Sequence, residues 1–137
     1  MLTNKSYILL LSILIVSLSF SACHLESDTN NDFLIKVDSI HTPEIINSGK
    51  PFNLVFYGTI GFNECYTLTN FDLGYNGNDI NIQAWGTFNY KEGKCPEGIV
   101  TINGQELRIT VQLPGDYRIV ILEPDNSVLI KQITVVE

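Results

Sequence analysis

The sequence predicts an all-β fold, a small antiparallel sandwich of about seven strands, preceded by an export signal and a short tether. From Phe33 onward apolar side chains alternate with polar ones, which is the period of a strand with one buried face. Gly, Pro, Asn and Asp interrupt this pattern about every 8 to 12 residues, and no helical periodicity follows the signal. A length of 137 residues favours a single domain.

The N-terminal residues 1–22 have the organisation of an export signal. A single charge, Lys5, precedes the uncharged and largely apolar run Ile8–Phe20. A helix of this length spans roughly 20 Å, short of the ~30 Å hydrocarbon core of a bilayer. The run is therefore predicted to be the hydrophobic core of a signal peptide rather than a permanent transmembrane helix.

The segment Phe20-Ser21-Ala22-Cys23 resembles the lipobox of bacterial lipoproteins, although Phe20 stands where the family usually has Leu. The resemblance implies cleavage before Cys23, lipidation of its thiol, and a membrane anchor in the bacterial cell envelope, which we expect to be in the outer membrane. An ordinary signal peptidase site after Ser21 is the alternative. It would leave Cys23 as an odd thiol in an oxidising compartment, whereas lipidation leaves an even pair of cysteines.

Composition limits the class of partner. Eight Lys and Arg against 15 Asp and Glu give a formal net charge of −7, and the basic residues do not cluster, so no nucleic-acid partner is expected. An acidic chain gains nothing from anionic headgroups, so membrane contact is assigned to acyl chains on Cys23. Residues 23–32 are polar and acidic and predict a flexible tether, which leaves periplasmic and surface-facing placements both open.

The sandwich domain is predicted to span residues 33–137. Its first strand places Phe33, Ile35 and Val37 on one side. Asn103-Gly104 is predicted to form a hairpin turn between two later strands. The further predicted strands are Phe52–Phe56, Ile80–Ala84, Ile99–Ile102, Leu107–Leu113, Tyr117–Leu122 and Val128–Val136.

The run Leu113-Pro114-Gly115-Asp116-Tyr117 leads into an apolar strand and resembles the corner that opens the penultimate strand of bacterial immunoglobulin-like and fibronectin-like domains. The stretch Pro43–Leu54 is loosely similar to the first connection of such domains. The resemblance implies an immunoglobulin-like sandwich in which the Tyr117 hydroxyl bonds to a nearby backbone group. The alternative is that Tyr117 is simply a large residue at the start of a strand.

Two cysteines remain beside Cys23. Cys65 and Cys95 are predicted to form a disulfide that joins the end of the second-strand region to a loop after the third strand. This pair departs from the inter-sheet bridge of immunoglobulin domains, because Cys95 does not lie on the strand that Tyr117 opens. The alternative is a metal site with His41 as third ligand, which no paired Cys-x-x-Cys spacing supports.

No catalytic motif stands out. The histidines are His24 and His41, there is no Gly-x-Ser-x-Gly elbow, and no phosphate-binding loop is present, so we expect no enzyme and no cofactor. Carboxylate pairs for glycoside cleavage remain an alternative. Asp72–Asp79 resembles calcium loops in composition, but Asn, Asp and Gly are equally the residues of ordinary turns.

Trp85 is the most informative aromatic residue. Strict alternation after Ala84 puts its indole on the outer face beside amides, the chemistry of sugar stacking or protein contact. A bulge could instead turn it inward, and we favour the core placement because immunoglobulin-like domains bury a central Trp. Trp85 is kept as a possible ligand contact, together with Tyr57, Tyr75 and Tyr90 on outer faces and loops.

The function expected from these features is that of a lipid-anchored envelope binding or accessory module without catalytic activity, with a protein or glycan partner. The alternative is a structural subunit or inhibitor that contacts an envelope or secreted enzyme through its loops.

Overall fold

The computed structural model describes residues 31–90 and 93–137, and within these ranges the protein is all-β. The predicted signal peptide, Cys23 and the tether up to residue 30 lie outside the described residues. Nine strands form two sheets. They are β1 (Asn31–Leu34), β2 (Lys36–His41), β3 (Ile45–Asn47), β4 (Pro51–Asn63), β5 (Tyr66–Asn76), β6 (Asp79–Phe88), β7 (Glu97–Thr110), β8 (Gly115–Leu122) and β9 (Val128–Val136).

The larger sheet has the order β5-β6-β8-β9-β3, and the smaller sheet has the order β2-β4-β7. Strand β6 pairs with β5 along one edge. Its other edge pairs with β8 over Asp79–Ile82 and with β1 over Trp85–Phe88. The all-β class with two sheets is confirmed. The β6–β8 and β3–β9 pairs are parallel, so the expectation of an antiparallel sandwich does not hold for every pair, and the described residues form nine strands rather than about seven.

The core lies between the two sheets and is built from alternate residues of their central strands. Phe56 and Leu54 on β4 face Ile80 and Ile82 on β6 and Ile119 on β8, and all five are fully buried. Removing the apolar side chains of these strands from water is the main source of stability. The alternation seen in the sequence of β4, β6 and β8 is confirmed as the pattern of burial.

The first predicted strand is divided between the sheets. Strand β1 pairs with β6 in the larger sheet, whereas β2 pairs with β4 in the smaller one. The crossing occurs at Ile35, which is buried and whose N–H donates to the Ala84 carbonyl at 2.8 Å. Because β1 already includes Asn31 and Asp32, the folded domain begins earlier than the predicted boundary at Phe33.

Strand β5 was not predicted, and a bulge explains why. Tyr66 and Leu68 alternate with polar residues, and so do Phe71 and Leu73, but the two series are out of step by one residue. The pairing with β6 shifts register between Leu68 and Asn70, which leaves Thr69 as the extra residue. Because of this extra residue, Phe71 and Leu73 lie on the same face of the sheet as Tyr66 and Leu68. The sequence pattern is interrupted at Thr69, although the strand is continuous.

The predicted hairpin turn at Asn103-Gly104 is wrong. Both residues lie within the continuous strand β7, where the register against β4 shifts between Phe56 and Tyr57. Gly104 has a φ of +80° and forms a bulge there. A residue pair suited to a turn is equally suited to a bulge, because both need a positive φ.

The corner before β8 has the contact that the family resemblance implies. The Tyr117 side chain is buried at the start of the strand, and its hydroxyl donates to the Leu113 carbonyl at 3.0 Å. The hydrogen bond closes the chain over the turn that contains Pro114. Tyr117 is therefore more than a large residue at a strand start.

Candidate functional site

Trp85 lies on the outer face of the larger sheet. Its neighbours Ile82 and Ala84 are fully buried, while Trp85 is partly buried and does not belong to the core cluster. Strand β6 is regular through this region, and the bulge lies in the partner strand β5 instead. The placement of Trp85 in the core is therefore wrong, and strict alternation gives the correct side.

Trp85 lies on β6 between its two neighbouring strands, β1 and β5. In the sheet register Trp85 lies opposite Leu34 on β1 and opposite Asn70 on β5. Its Nε1 is inaccessible to water and has no hydrogen-bond partner among the described residues. The indole is thus partly exposed, without a hydrogen bond to its Nε1 from the described residues.

A shallow groove lies further along the same outer face, and Trp85 is not among the residues that line it. Its volume is about 470 Å³, and aliphatic side chains of β8 and β9 form part of its wall. Asn81 and Gln83, the preceding outward residues of β6, contribute amides. We call Trp85, Asn81, Gln83, Val120, Leu122 and Val128 the Trp85 face. A flat apolar ring next to amide donors and acceptors suits a sugar ring or a polar peptide segment.

Thr87 anchors the strands on both sides of this face. Its hydroxyl is buried and donates to Asp32 Oδ1 at 2.8 Å, so it accepts from the Thr69 hydroxyl at 2.6 Å. These bonds join β1 and β5 to β6 two residues after Trp85. Assigning Asp32 to a solvated tether missed this role, and no local pattern in the sequence indicates it.

The three candidate tyrosines do not join the Trp85 face. Tyr57 is on the outer face of the smaller sheet, where its ring lies 5.8 Å from that of His41. Tyr75 is exposed on β5, and its hydroxyl lies 3.4 Å from the Thr110 carbonyl across the open side of the sandwich. Tyr90 follows β6, with its ring stacked 6.5 Å from that of Phe88. The residues predicted as ligand contacts therefore do not form one surface.

The predicted disulfide between Cys65 and Cys95 is confirmed, with a Cα–Cα distance of 5.4 Å. Cys65 lies in the turn between β4 and β5, and Cys95 lies in the loop before β7. Around the bond, the Asn89 N–H donates to the Cys65 carbonyl at 2.9 Å and the Glu64 N–H donates to the Pro96 carbonyl at 3.0 Å. The alternative metal site that uses both thiols is wrong.

The calcium-like segment is not a loop. Residues 72–76 belong to β5, and only Gly77 and Asn78 form the turn to β6. Asp79 receives two hydrogen bonds of 2.7 Å from Arg118, which lower the pKa of its carboxyl. Across residues 31–90 and 93–137, no group of three or more His, Cys, Asp or Glu side chains is placed to hold a metal ion.

Glu123 is a buried acid that sequence reasoning missed. It is only 6% exposed, directly after β8, and its Oε2 accepts the Val37 N–H at 3.2 Å. Its Oε1 has no partner within the described part of the chain. Burial raises the pKa of this carboxyl, and the Val37 hydrogen bond offsets the effect only in part. The carboxyl thus links the end of β8 to β2 in the other sheet.

No protein-family model, curated protein or solved structure matches this chain. The class defined by the fold is that of a small two-sheet β domain with one disulfide. In the described ranges, no helix is long and apolar enough to cross a membrane.

Proposed function

We propose that this protein is a lipid-anchored binding or accessory module of the bacterial cell envelope, built on an immunoglobulin-like sandwich and without catalytic activity. The observation that carries the proposal is the Trp85 face, where an indole outside the core lies beside amides on a rigid sheet. The indole lies outside the core cluster and is partly exposed, and this exposed surface is available for contact.

The immunoglobulin-like assignment draws its support from the corner at Tyr117 and from the two packed sheets. The parallel pairing of β3 with β9 places a three-residue strand beside the last strand of the domain. The parallel pairing of β6 with β8 is a departure from a purely antiparallel sandwich. The assignment therefore concerns the general architecture and not the full strand order.

The anchor draws its support from the lipobox-like sequence and from cysteine pairing. Of three cysteines, Cys65 and Cys95 are joined to each other, which leaves Cys23 for the acyl chains. Replacing Cys23 by Ser should release the protein from the membrane fraction or leave it uncleaved. Unchanged fractionation together with an unchanged intact mass would contradict the anchor and the outer-membrane location proposed with it.

The ligand class is proposed to be a glycan or a polar protein surface. Hydrogen bonds from Asn81 and Gln83 would orient such a ligand, and the indole of Trp85 would cover an apolar part of it. The groove is open rather than enclosed, which suits a ligand held along one face.

A binding comparison tests the Trp85 face. The Cys23→Ser chain, screened on a glycan array and in pull-downs from detergent-solubilised envelope, should lose at least about tenfold of its signal on Trp85→Ala, because a central aromatic contact is typically worth over ~1.4 kcal/mol. Tyr57→Ala, on the other sheet's outer face, is the matched control and should bind normally.

Equal binding by wild type and Trp85→Ala would refute the role of this face. Stoichiometric capture of an envelope or secreted enzyme that is insensitive to Trp85→Ala would instead favour the alternative, a subunit or inhibitor that uses its loops.

A further inference from the structure

Aromatic rings form a continuous series at the disulfide end of the sandwich. Phe33 packs edge-on against Tyr66 at 5.5 Å, Tyr66 lies 4.8 Å from Phe88, and Phe88 stacks with Tyr90 at 6.5 Å. These residues come from the start of β1, the start of β5 and the end of β6 and beyond. The series therefore marks one end of the domain rather than a sheet face.

These rings border an open groove of about 590 Å³ whose exposed surface is mainly apolar. Phe33, Tyr66 and Phe88 line it together with Phe62, near the end of β4. Phe62 is 77% exposed and Tyr90 is 64% exposed. We call Phe33, Phe62, Tyr66, Phe88 and Tyr90 the aromatic end. Two large exposed rings beside an apolar groove are unusual on a surface that contacts only water.

The chain enters the domain at this same place. Asn31, the first described residue, lines the groove. Cys23 is eight residues before it (31 − 23), a separation of at most roughly 28 Å when fully extended and about 16 Å as a flexible coil. An anchor at Cys23 would therefore keep the aromatic end within reach of the lipid headgroups.

Charged side chains of both signs surround the aromatic end, and acids outnumber bases among those that the structure describes. Lys36 lines the groove beside Asp32, and Lys94 lies near Glu64 and Glu97 around the disulfide. This acidic excess gives no attraction to an anionic surface, so charge does not supply the contact. The contact chemistry of this end is that of aromatic rings, which are enriched where apolar chains meet polar headgroups.

We propose that the aromatic end contacts the headgroup region of the membrane and is a second membrane contact beside the acyl anchor. The inference rests on the proposed anchoring at Cys23. Two attachments orient a domain, whereas a single flexible tether leaves it free to tumble. Ile45, near the start of β6 and β8, would then point away from the bilayer.

The test places an indole at each end in turn. In a Trp85→Phe background, Phe62→Trp puts the single indole at the aromatic end, and Ile45→Trp, at a position 69% exposed, is the matched control. Each chain from Cys23 onward is coupled through that thiol to a maleimide phosphatidylethanolamine, in vesicles of phosphatidylcholine with brominated acyl chains. Cys65 and Cys95 do not compete, because they are joined to each other.

Emission from the indole at position 62 should be quenched at least about twofold and shift to the blue on coupling, because the ring enters the interface. The control at position 45 should do neither. Equal quenching at the two positions would overturn the inference. The inference would also be overturned if the indole at position 62 emitted to the blue without vesicles and the protein sedimented as a dimer. A second copy of the chain would then cover the aromatic end.

Native acylation is measured separately, by the mass of the N-terminal peptide of the protein extracted from membranes. A peptide without acyl chains would contradict the anchor, while the coupled vesicles would still report on the aromatic end. An acylated peptide with an unquenched indole at position 62 would contradict only the aromatic contact.

Discussion

The two ends of the sandwich are held by different means. At one end Cys65 and Cys95 join the β4–β5 turn to the loop before β7 covalently, beside exposed aromatic rings and the buried carboxyl of Glu123. At the other end Tyr117 closes the corner before β8 with a buried ring and one hydrogen bond to Leu113. Both ends expose large apolar side chains, Phe62 at the first and Leu113 at the second, so the difference lies in the link itself, which is a covalent bond at one end and a buried ring with one hydrogen bond at the other.

The largest effect is expected from removing the disulfide. The double variant Cys65→Ser, Cys95→Ser removes the disulfide, which closes a loop with a sequence separation of 30. Loss of this bond should lower the free energy of unfolding by about 3 to 4 kcal/mol in the chain-entropy model. Urea denaturation of the oxidised wild type and the double variant measures the difference. A change below about 1 kcal/mol would mean that packing alone holds this end.

A smaller loss of stability is expected from changing the corner at Tyr117, at the other end of the sandwich. Tyr117→Phe keeps the buried ring but leaves the Leu113 carbonyl without its donor, which should cost about 0.5 to 1.5 kcal/mol. Tyr75→Phe is the matched control, because its exposed hydroxyl makes only a 3.4 Å contact with a carbonyl, and it should change stability by less than about 0.5 kcal/mol. Equal losses for the two variants in urea melts would remove the special role of the corner.

The smallest effect is expected in the dependence of stability on pH, through the buried carboxyl of Glu123 at the disulfide end. Burial raises the pKa of Glu123 in the folded state above its ordinary value of 4.5, so the folded protein binds this proton more tightly than the unfolded chain does. The contribution of Glu123 to stability should therefore be greatest below the unfolded pKa and decline as pH rises through the raised folded pKa.

Glu123→Gln removes this titration and should flatten that part of the stability profile, measured by denaturation at a series of acidic and neutral pH values. Asp79→Asn is the control, because hydrogen bonds from Arg118 lower the pKa of that carboxyl, so its pH dependence has the opposite sign, and it lies at the other end of the sandwich. If wild type and Glu123→Gln show the same dependence of the unfolding free energy on pH, Glu123 has the same pKa in the folded and unfolded states.

The outer-face indole and the buried acid differ in how far sequence could predict them. Trp85 follows Ile80, Ile82 and Ala84 in a regular strand, so its side of the sheet was available from local alternation. Glu123 follows a buried strand just before a turn, where an acid is ordinarily solvated. Its burial depends on Val37, which is 86 positions away in the chain, and no local pattern reports such a partner.

The sequence by itself determined the β class, the burial pattern of β4, β6 and β8, the corner at Tyr117 and the pairing of Cys65 with Cys95. The burial pattern follows from a period of two and the cysteine pairing from the parity of cysteines, whereas the corner was implied by the resemblance of Leu113–Tyr117 to a family motif. Only the tertiary structure decided the division of the first strand between two sheets, the bulges at Thr69 and Gly104, and the parallel partners of β6 and β9. The physical reason is that alternation specifies which face of a strand is buried, whereas strand partners and bulges depend on distant segments that pack beside it.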